Sequence, residues 1–130
     1  MCGLAGLLCS KPRDNLNRQV SQMTSNLFHR GPNNEGIWSE GCIGLGHRRL
    51  SIIDLSKSGS QPMVSNCGRF VMAYNGEIYN HLNIRKELEK NGVVTNWQGH
   101  SDTETLLEAI ANWGLDEALR YSHGMFALAI

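Results

Sequence analysis

The sequence predicts one mixed domain of strands and helices, and three observations carry that expectation. An apolar run at residues 3–9, bounded by Ser10-Lys11-Pro12, reads as a buried strand. Leu16, Val20, Met23, Leu27 and Phe28 recur at helical spacing and predict an amphipathic helix ending near His29. Ser101-Asp102-Thr103-Glu104 has the form of a capping box, a serine cap with a carboxylate three residues on. The helix it opens carries Leu106, Leu107, Ile110 and Trp113 on one face and stops at Gly114.

The remaining elements follow in chain order. Asp14 or Asn15 is placed to cap the first helix, and Arg30-Gly31-Pro32 stops it and opens a polar loop, Asn33-Asn34-Glu35-Gly36. Residues 42–47 and 50–53 read as two extended pieces flanking Arg48-Arg49. Two arginines between apolar flanks predict that at least one guanidinium lies in a cleft and finds an anion there. Residues 55–63 are loop-like, rich in Ser, Gly and Pro. Residues 69–74 are β-prone, and the following Asn75-Gly76, between apolar runs, is first of all a hairpin signal. A helix is expected from about His81, closing at Asn91-Gly92, and another short one over residues 115–121. The run from Gly124 to Ile130 reads as a buried strand that stops in mid-run, as in a truncated domain.

Composition excludes several classes of function. Twelve basic and twelve acidic residues in a chain of 130 give a formal net charge of zero, with no footprint for nucleic acid or for an anionic membrane. No apolar run approaches the length of a spanning helix, so a cytoplasmic protein is expected. Cys2, Cys9, Cys42 and Cys67 form no C-x-x-C pair and no zinc-like spacing, which predicts no metal site. Cys9, Cys42 and Cys67 then read as ordinary buried thiols.

Cys2 admits a different reading. Removal of Met1, compatible with the small second side chain, would leave a residue bearing both a thiol and a free α-amine. That amine titrates near pH ~7.7–8.0, so nucleophile and general base would reside in one residue. The plainer alternative is a small residue opening a strand, and six residues by themselves favour it.

The pieces taken together resemble a known family. Cys2-Gly3-Leu4-Ala5-Gly6, His29-Arg30-Gly31-Pro32, residues 46–54 (GHRRLSIID), Gln61-Pro62, residues 74–80 (YNGEIYN), Ser101-Asp102-Thr103-Glu104 and Gly124-Met125-Phe126-Ala127 stand in the order of the glutaminase domain of class II glutamine amidotransferases. Within that class they look like the glutamine-hydrolysing asparagine synthetases. The resemblance implies an α+β, N-terminal-nucleophile hydrolase fold, a four-layer αββα sandwich of two antiparallel sheets between helical layers, partial over residues 1–130. It implies hydrolysis of L-glutamine to glutamate and ammonia. Cys2 falls on the nucleophile; the Asn75 amide and the Gly76 N–H fall on the oxyanion hole. Arg49 falls on the group that holds the substrate carboxylate. Asp102 with Glu77 falls on the ammonium-binding position, with backbone near Ile52 helping to seat the substrate. The five histidines receive no catalytic role. No cofactor is implied for this domain; ATP and Mg belong to a synthetase domain that accepts the ammonia. Asn33 stands where the family usually has aspartate, a change expected to loosen its loop.

Two other functions are compatible with the same residues: a non-catalytic glutamine-binding or interaction fragment, or an amidotransferase whose acceptor is a sugar acid in surface-polysaccharide synthesis. The unfinished strand at residues 124–130 predicts an exposed edge and a tendency to self-association or homodimerisation.

Overall fold

Among the described residues, two three-stranded antiparallel sheets pack face to face, with helices on both outer surfaces. The computed structural model describes residues 2–50, 59–92 and 96–130. The first sheet has the order β1-β3-β2, from β1 (Gly3–Leu8), β2 (Asn34–Glu40) and β3 (Ile43–Arg49). The second has the order β4-β5-β6, from β4 (Met63–Val64), β5 (Val71–Ile78) and β6 (Gly124–Ala129). Helix α1 (Leu16–Ser25) lies on the first sheet. Helices α2 (His81–Lys90), α3 (Asp102–Trp113) and α4 (Leu115–Tyr121) form the opposite layer, with α3 on the second sheet. Strands β1 and β3 pack across β5, which completes the expected αββα order of layers.

Close approach of α1 to the first sheet depends on the small residues of β3. A Cβ on Gly46 would overlap the Thr24 hydroxyl of α1, and one on Gly44 would press on Val20. Val20 is fully buried with Leu16 and Cys9 in a small core that Leu7, Ile37 and Cys42 border. The larger core lies between the second sheet and its helices. Met72, Tyr74 and Ile78 of β5 meet Ile84 and Leu88 of α2, and Leu106, Leu107 and Ile110 of α3. Strand alternation places 72, 74 and 78 on this helix-facing side, so Ala73, Asn75 and Glu77 project toward the first sheet.

Several expectations are corrected. Asn15 is the cap residue of α1, but its side chain makes no capping hydrogen bond, and the helix ends at Ser25 instead of near His29. Strand β2 begins at Asn34, inside the expected polar loop, because Glu35 and Gly36 pair with Arg48 and His47 of β3. Arg48 and Arg49 belong to β3 itself, and the second expected piece, residues 50–53, lies outside the described residues from 51 on. Asn75-Gly76 is not a hairpin turn: β5 runs through it unbroken, with Asn75 opposite Ala127 and Gly76 opposite Phe126. A Cβ at Gly76 would collide with Phe126 and the Met125 carbonyl, so the glycine serves strand approach, not a turn. Neither terminal run is buried throughout. Leu8 of β1 is 76% exposed and Met125 of β6 is 74% exposed, since each strand has one face beyond the packed layers. Cys9 is buried as expected, but Cys42 is half-buried and Cys67 is exposed. Cys67 occupies the tip of a turn closed by the Gly68 N–H on the Ser65 carbonyl. Residue Ile52 and the rest of 51–58 lie outside the described residues.

The cap of α3 forms as expected on one side only. The Ser101 hydroxyl accepts from the Glu104 N–H, while the Glu104 carboxylate accepts from the N–H groups of Gln98 and Gly99 and pairs with Arg85 at 3.4 Å. Arg85, only 8% exposed, also donates to Thr105 and the Gly99 carbonyl and lies 4.0 Å over the Trp97 ring. Every polar arm of this buried cation is therefore engaged, which is the condition for burying it at all.

Candidate active site

Cys2 precedes β1 at the point where β1, β3 and the segment after α1 converge. Its sulfur accepts from the Leu50 N–H at 3.4 Å, just beyond β3, and its carbonyl accepts from Arg30. Gly31 packs so closely on the Arg48–Arg49 peptide that a Cβ would overlap it, which fixes the 29–32 turn against the strand leading to the cysteine's partner. The two adjacent arginines separate by role. Arg48 pairs with Glu35 at 2.7 Å, donates to the Thr24 carbonyl and lies over Phe28, so it meets the expected anion within the fold. Arg49 is half-buried with its guanidinium against Gly59, and its carbonyl accepts from the Asn33 N–H at 3.1 Å. The Asn33 backbone is thus tied to β3.

The second sheet contributes its part through one edge of β5. The Ser65 N–H donates to the Phe70 carbonyl, and β4 then pairs with β5 only as far as Met63 opposite Met72. Beyond β4, side chains take over. Tyr74 N–H donates to the Gln61 side-chain oxygen at 2.6 Å, and the Tyr74 carbonyl accepts from His47 Nε2 at 3.0 Å. Four residues further, Ile78 N–H donates to Asp102 at 3.0 Å. Even-numbered residues of an antiparallel strand point their N–H and C=O to the same side. Gly76 therefore turns its N–H to this edge, between the groups that occupy Tyr74 and Ile78 and away from β6. Asn75, half-buried, projects from the neighbouring position toward the first sheet.

Asp102 does more than open α3. One carboxylate oxygen accepts from the Tyr74 hydroxyl and from Ile78 N–H, both at 3.0 Å, and the other accepts from its neighbour Thr103 N–H. Burial and the adjacent carboxylate push the Tyr74 phenol above its ordinary range, so it stays a neutral donor. Glu77 is exposed and projects from the other face of β5, so the two carboxylates reach the edge from different sides. The structure brings Asn75, Gly76, Glu77 and Asp102 to one end of β5, and Cys2 and Arg49 to the facing end of the first sheet. A groove of about 620 Å³ lined by Glu87, Asn91, Trp113, Glu117 and Tyr121 lies on the outer helical layer, and none of these residues borders it. Among the described residues no cluster of side chains could hold a metal ion, and no helix is long and apolar enough to cross a membrane.

His47, Gln61 and Tyr74 were given no site role by sequence reasoning. His47 is 1% exposed, and burial, with a smaller contribution from the Arg49 charge, holds its pKa down at about 4. The imidazole is neutral at pH 7, with its proton on Nε2 facing the Tyr74 carbonyl. The folded pKa lies below the ordinary 6.5, so the unfolded chain binds the proton more readily. His47 thus favours folding above pH 6.5, and that contribution is lost as pH falls toward 4, about 3 kcal/mol in all. Urea unfolding of wild type and His47→Gln at pH 7 and pH 4 should show a smaller acid loss in the variant. Equal losses would place the acid sensitivity elsewhere.

Comparison with known proteins is consistent across the chain. Residues 1–130 match the family model described as a glutamine amidotransferase domain. The glutamine-hydrolysing asparagine synthetase 1 of Bacillus subtilis is 38% identical over the whole chain, which spans 20% of that protein. The amidase chyE of Penicillium rubens is 33% identical and is likewise spanned to 20%. Among solved structures, the glutamine phosphoribosylpyrophosphate amidotransferase of B. subtilis superposes with a TM-score of 0.79 at 18% identity, over 98% of this chain and 34% of that one. This likeness shows the fold, an α+β amidotransferase sandwich.

Proposed function

The chain belongs to the glutamine amidotransferase domain family, and on that premise we propose that it hydrolyses L-glutamine with Cys2 as nucleophile. In this reading the α-amine of Cys2, freed by removal of Met1, takes the thiol proton as the sulfur attacks the side-chain amide carbon. The tetrahedral oxyanion is met by the Asn75 amide and the Gly76 N–H. The same amine returns the proton to the departing nitrogen, releasing ammonia and leaving a thioester. Water, deprotonated by the amine, then releases glutamate and restores the thiol. The observation that carries the reading is the edge of β5. Its N–H groups are taken by Gln61 at Tyr74 and by Asp102 at Ile78, and Gly76 presents its own between them.

A free amino acid carries both charges at fixed separation, so the site needs one cation and one anion away from the reacting amide. Arg49 takes the carboxylate with its planar fork, and Asp102 with Glu77 takes the ammonium. Arg49→Met should raise KM for glutamine by roughly 10- to 100-fold, at the scale of a charged hydrogen bond of about 1.5–3 kcal/mol, and leave kcat nearly unchanged. Asp102→Asn should raise KM and also lower Tm, because its carboxylate accepts from Tyr74, Ile78 and Thr103. A fall in kcat at constant KM for Arg49→Met would reverse these roles.

The ammonia passes to an ATP-using synthetase-type domain, for which aspartate is the acceptor suggested by the asparagine synthetases. The similarity to a protein named an amidase supports a second reading, in which the same glutaminase serves a different acceptor. Release of ammonia and glutamate from glutamine, absent with asparagine, tests the shared first step. Glutamine binding without release would instead support a non-catalytic module.

A further inference from the structure

His47 and Gln61 end the hydrogen-bond ladder of β5 at Tyr74, two residues before Gly76, and we infer that they are positioning residues that hold the Asn75–Gly76 edge open. The inference rests on the glutaminase reading for its chemistry and on the following geometry for its substance. Each even-numbered residue of this part of β5 directs its backbone groups to one edge. Phe70, just before β5, finds Ser65 there, and Met72 finds Met63. A third strand residue on that edge would extend the same ladder toward Gly76. Instead the Gln61 side-chain oxygen takes the Tyr74 N–H and the His47 Nε2–H serves the Tyr74 carbonyl. Both backbone groups of Tyr74 are satisfied with no neighbouring backbone, so the ladder closes at Tyr74 and Gly76 N–H is left facing the site.

His47 adds a second constraint. It sits on β3 opposite Leu4 of β1 and Gly36 of β2, two residues along each strand from Cys2 and Asn34. Arg49 follows two residues later on the same strand. The imidazole therefore carries a hydrogen bond directly from the sheet bearing Cys2 and Arg49 to the peptide that joins Tyr74 to Asn75. Oxyanion stabilisation depends on donors fixed at about 3 Å from a position set by the nucleophile. A displacement of ~1 Å between such groups can cost about 100-fold in rate. A histidine that merely filled the core would not need this acceptor. A buried apolar residue of the same size would fill the space and leave the Tyr74 carbonyl unpaired.

The test separates positioning from bulk stability. His47→Met and Gln61→Met remove the side-chain partner at similar volume; His47→Gln and Gln61→Glu retain a donor and an acceptor respectively. For each variant, kcat and KM for glutamine are measured at pH 7.5 together with amide hydrogen exchange at Tyr74, Asn75 and Gly76. His47→Met and Gln61→Met should lower kcat about 10- to 100-fold with KM nearly unchanged and speed exchange at the paired Tyr74 and Asn75 amides, while the exposed Gly76 amide exchanges fast in every variant. The retaining variants should restore most of both readouts. If His47→Met does not fold, the half-buried Gln61 pair carries the same comparison. Folded Met variants with wild-type kcat and unchanged local exchange would overturn the inference. A wild-type chain that releases no ammonia would instead sink the glutaminase reading, and the exchange data would still decide whether His47 and Gln61 hold this edge.

Discussion

Cys2→Ser is expected to leave the fold intact and to abolish glutamine hydrolysis, by on the order of a thousandfold or more. The sulfur makes no core contact that the smaller hydroxyl would forfeit at large cost. It is half-buried ahead of β1, and its hydrogen bond from the Leu50 N–H is one that an oxygen also accepts. The loss should therefore appear in kcat and not in Tm. The cause is chemical: a serine hydroxyl is far less ionised than a thiol, and its neighbouring amine is too weak a base to make up the difference. Retention of Met1 should be nearly as damaging, because the base then becomes part of an amide. Intact mass of an active preparation checks this directly. A fully active chain still carrying Met1 would refute the N-terminal mechanism, and an active Cys2→Ser chain would refute the nucleophile.

The helices were legible because their signals are local. Ser101 as a cap, Gly114 as a stop and Asn91-Gly92 as a closing pair act on the chain within a few residues, and α2, α3 and α4 form where they predict. The strands were legible only where an apolar run was bounded by breakers. Strand β2 starts on polar residues, and its pairing with β3 is decided by Arg48–Glu35 and by the β3 ladder, neither visible in a window of sequence. Asn75-Gly76 misleads for the same reason. The dipeptide has the chemistry of a turn, yet the glycine is there because Phe126 of β6 lies against it, a partner fifty residues away.

The site divides in the same way. Cys2, Arg49, Asn75, Gly76, Glu77 and Asp102 came from a resemblance between ordered motifs, and the fold brings them to facing ends of the two sheets. Composition and periodicity alone would have left Cys2 as the opening of a strand and Asp102 as a first-turn carboxylate. The hydrogen bonds of His47 and Gln61 to Tyr74 could not be read from either source. Each joins residues 27 or 13 positions apart through one backbone group, and a lone buried histidine in a glycine-rich strand looks like ordinary core. The available signal was indirect: Tyr74 lies within β5 just past the end of its short pairing with β4, where a backbone N–H and C=O must find some partner.

Asn75→Ala is expected to lower kcat by about 100- to 1000-fold with little change in KM, the cost of about 2.7–4 kcal/mol found when one oxyanion donor is removed. Asn75 is the cleaner of the two donors to test. Replacing Gly76 would drive a Cβ into Phe126 and the Met125 carbonyl, so any loss of activity there would be confounded by a displaced β6. The Asn75 side chain, in contrast, projects half-exposed from the sheet-facing side of β5, and the backbone stays paired with β6 opposite Ala127. Truncation to alanine should leave strand, register and Tm close to wild type. The amide stabilises negative charge that exists only near the transition state, so its removal should spare ground-state binding of glutamine. Steady-state kinetics with a matched thermal melt distinguishes the cases. An increase in KM at constant kcat would mean that Asn75 holds the substrate and that the oxyanion is stabilised elsewhere along the β5 edge.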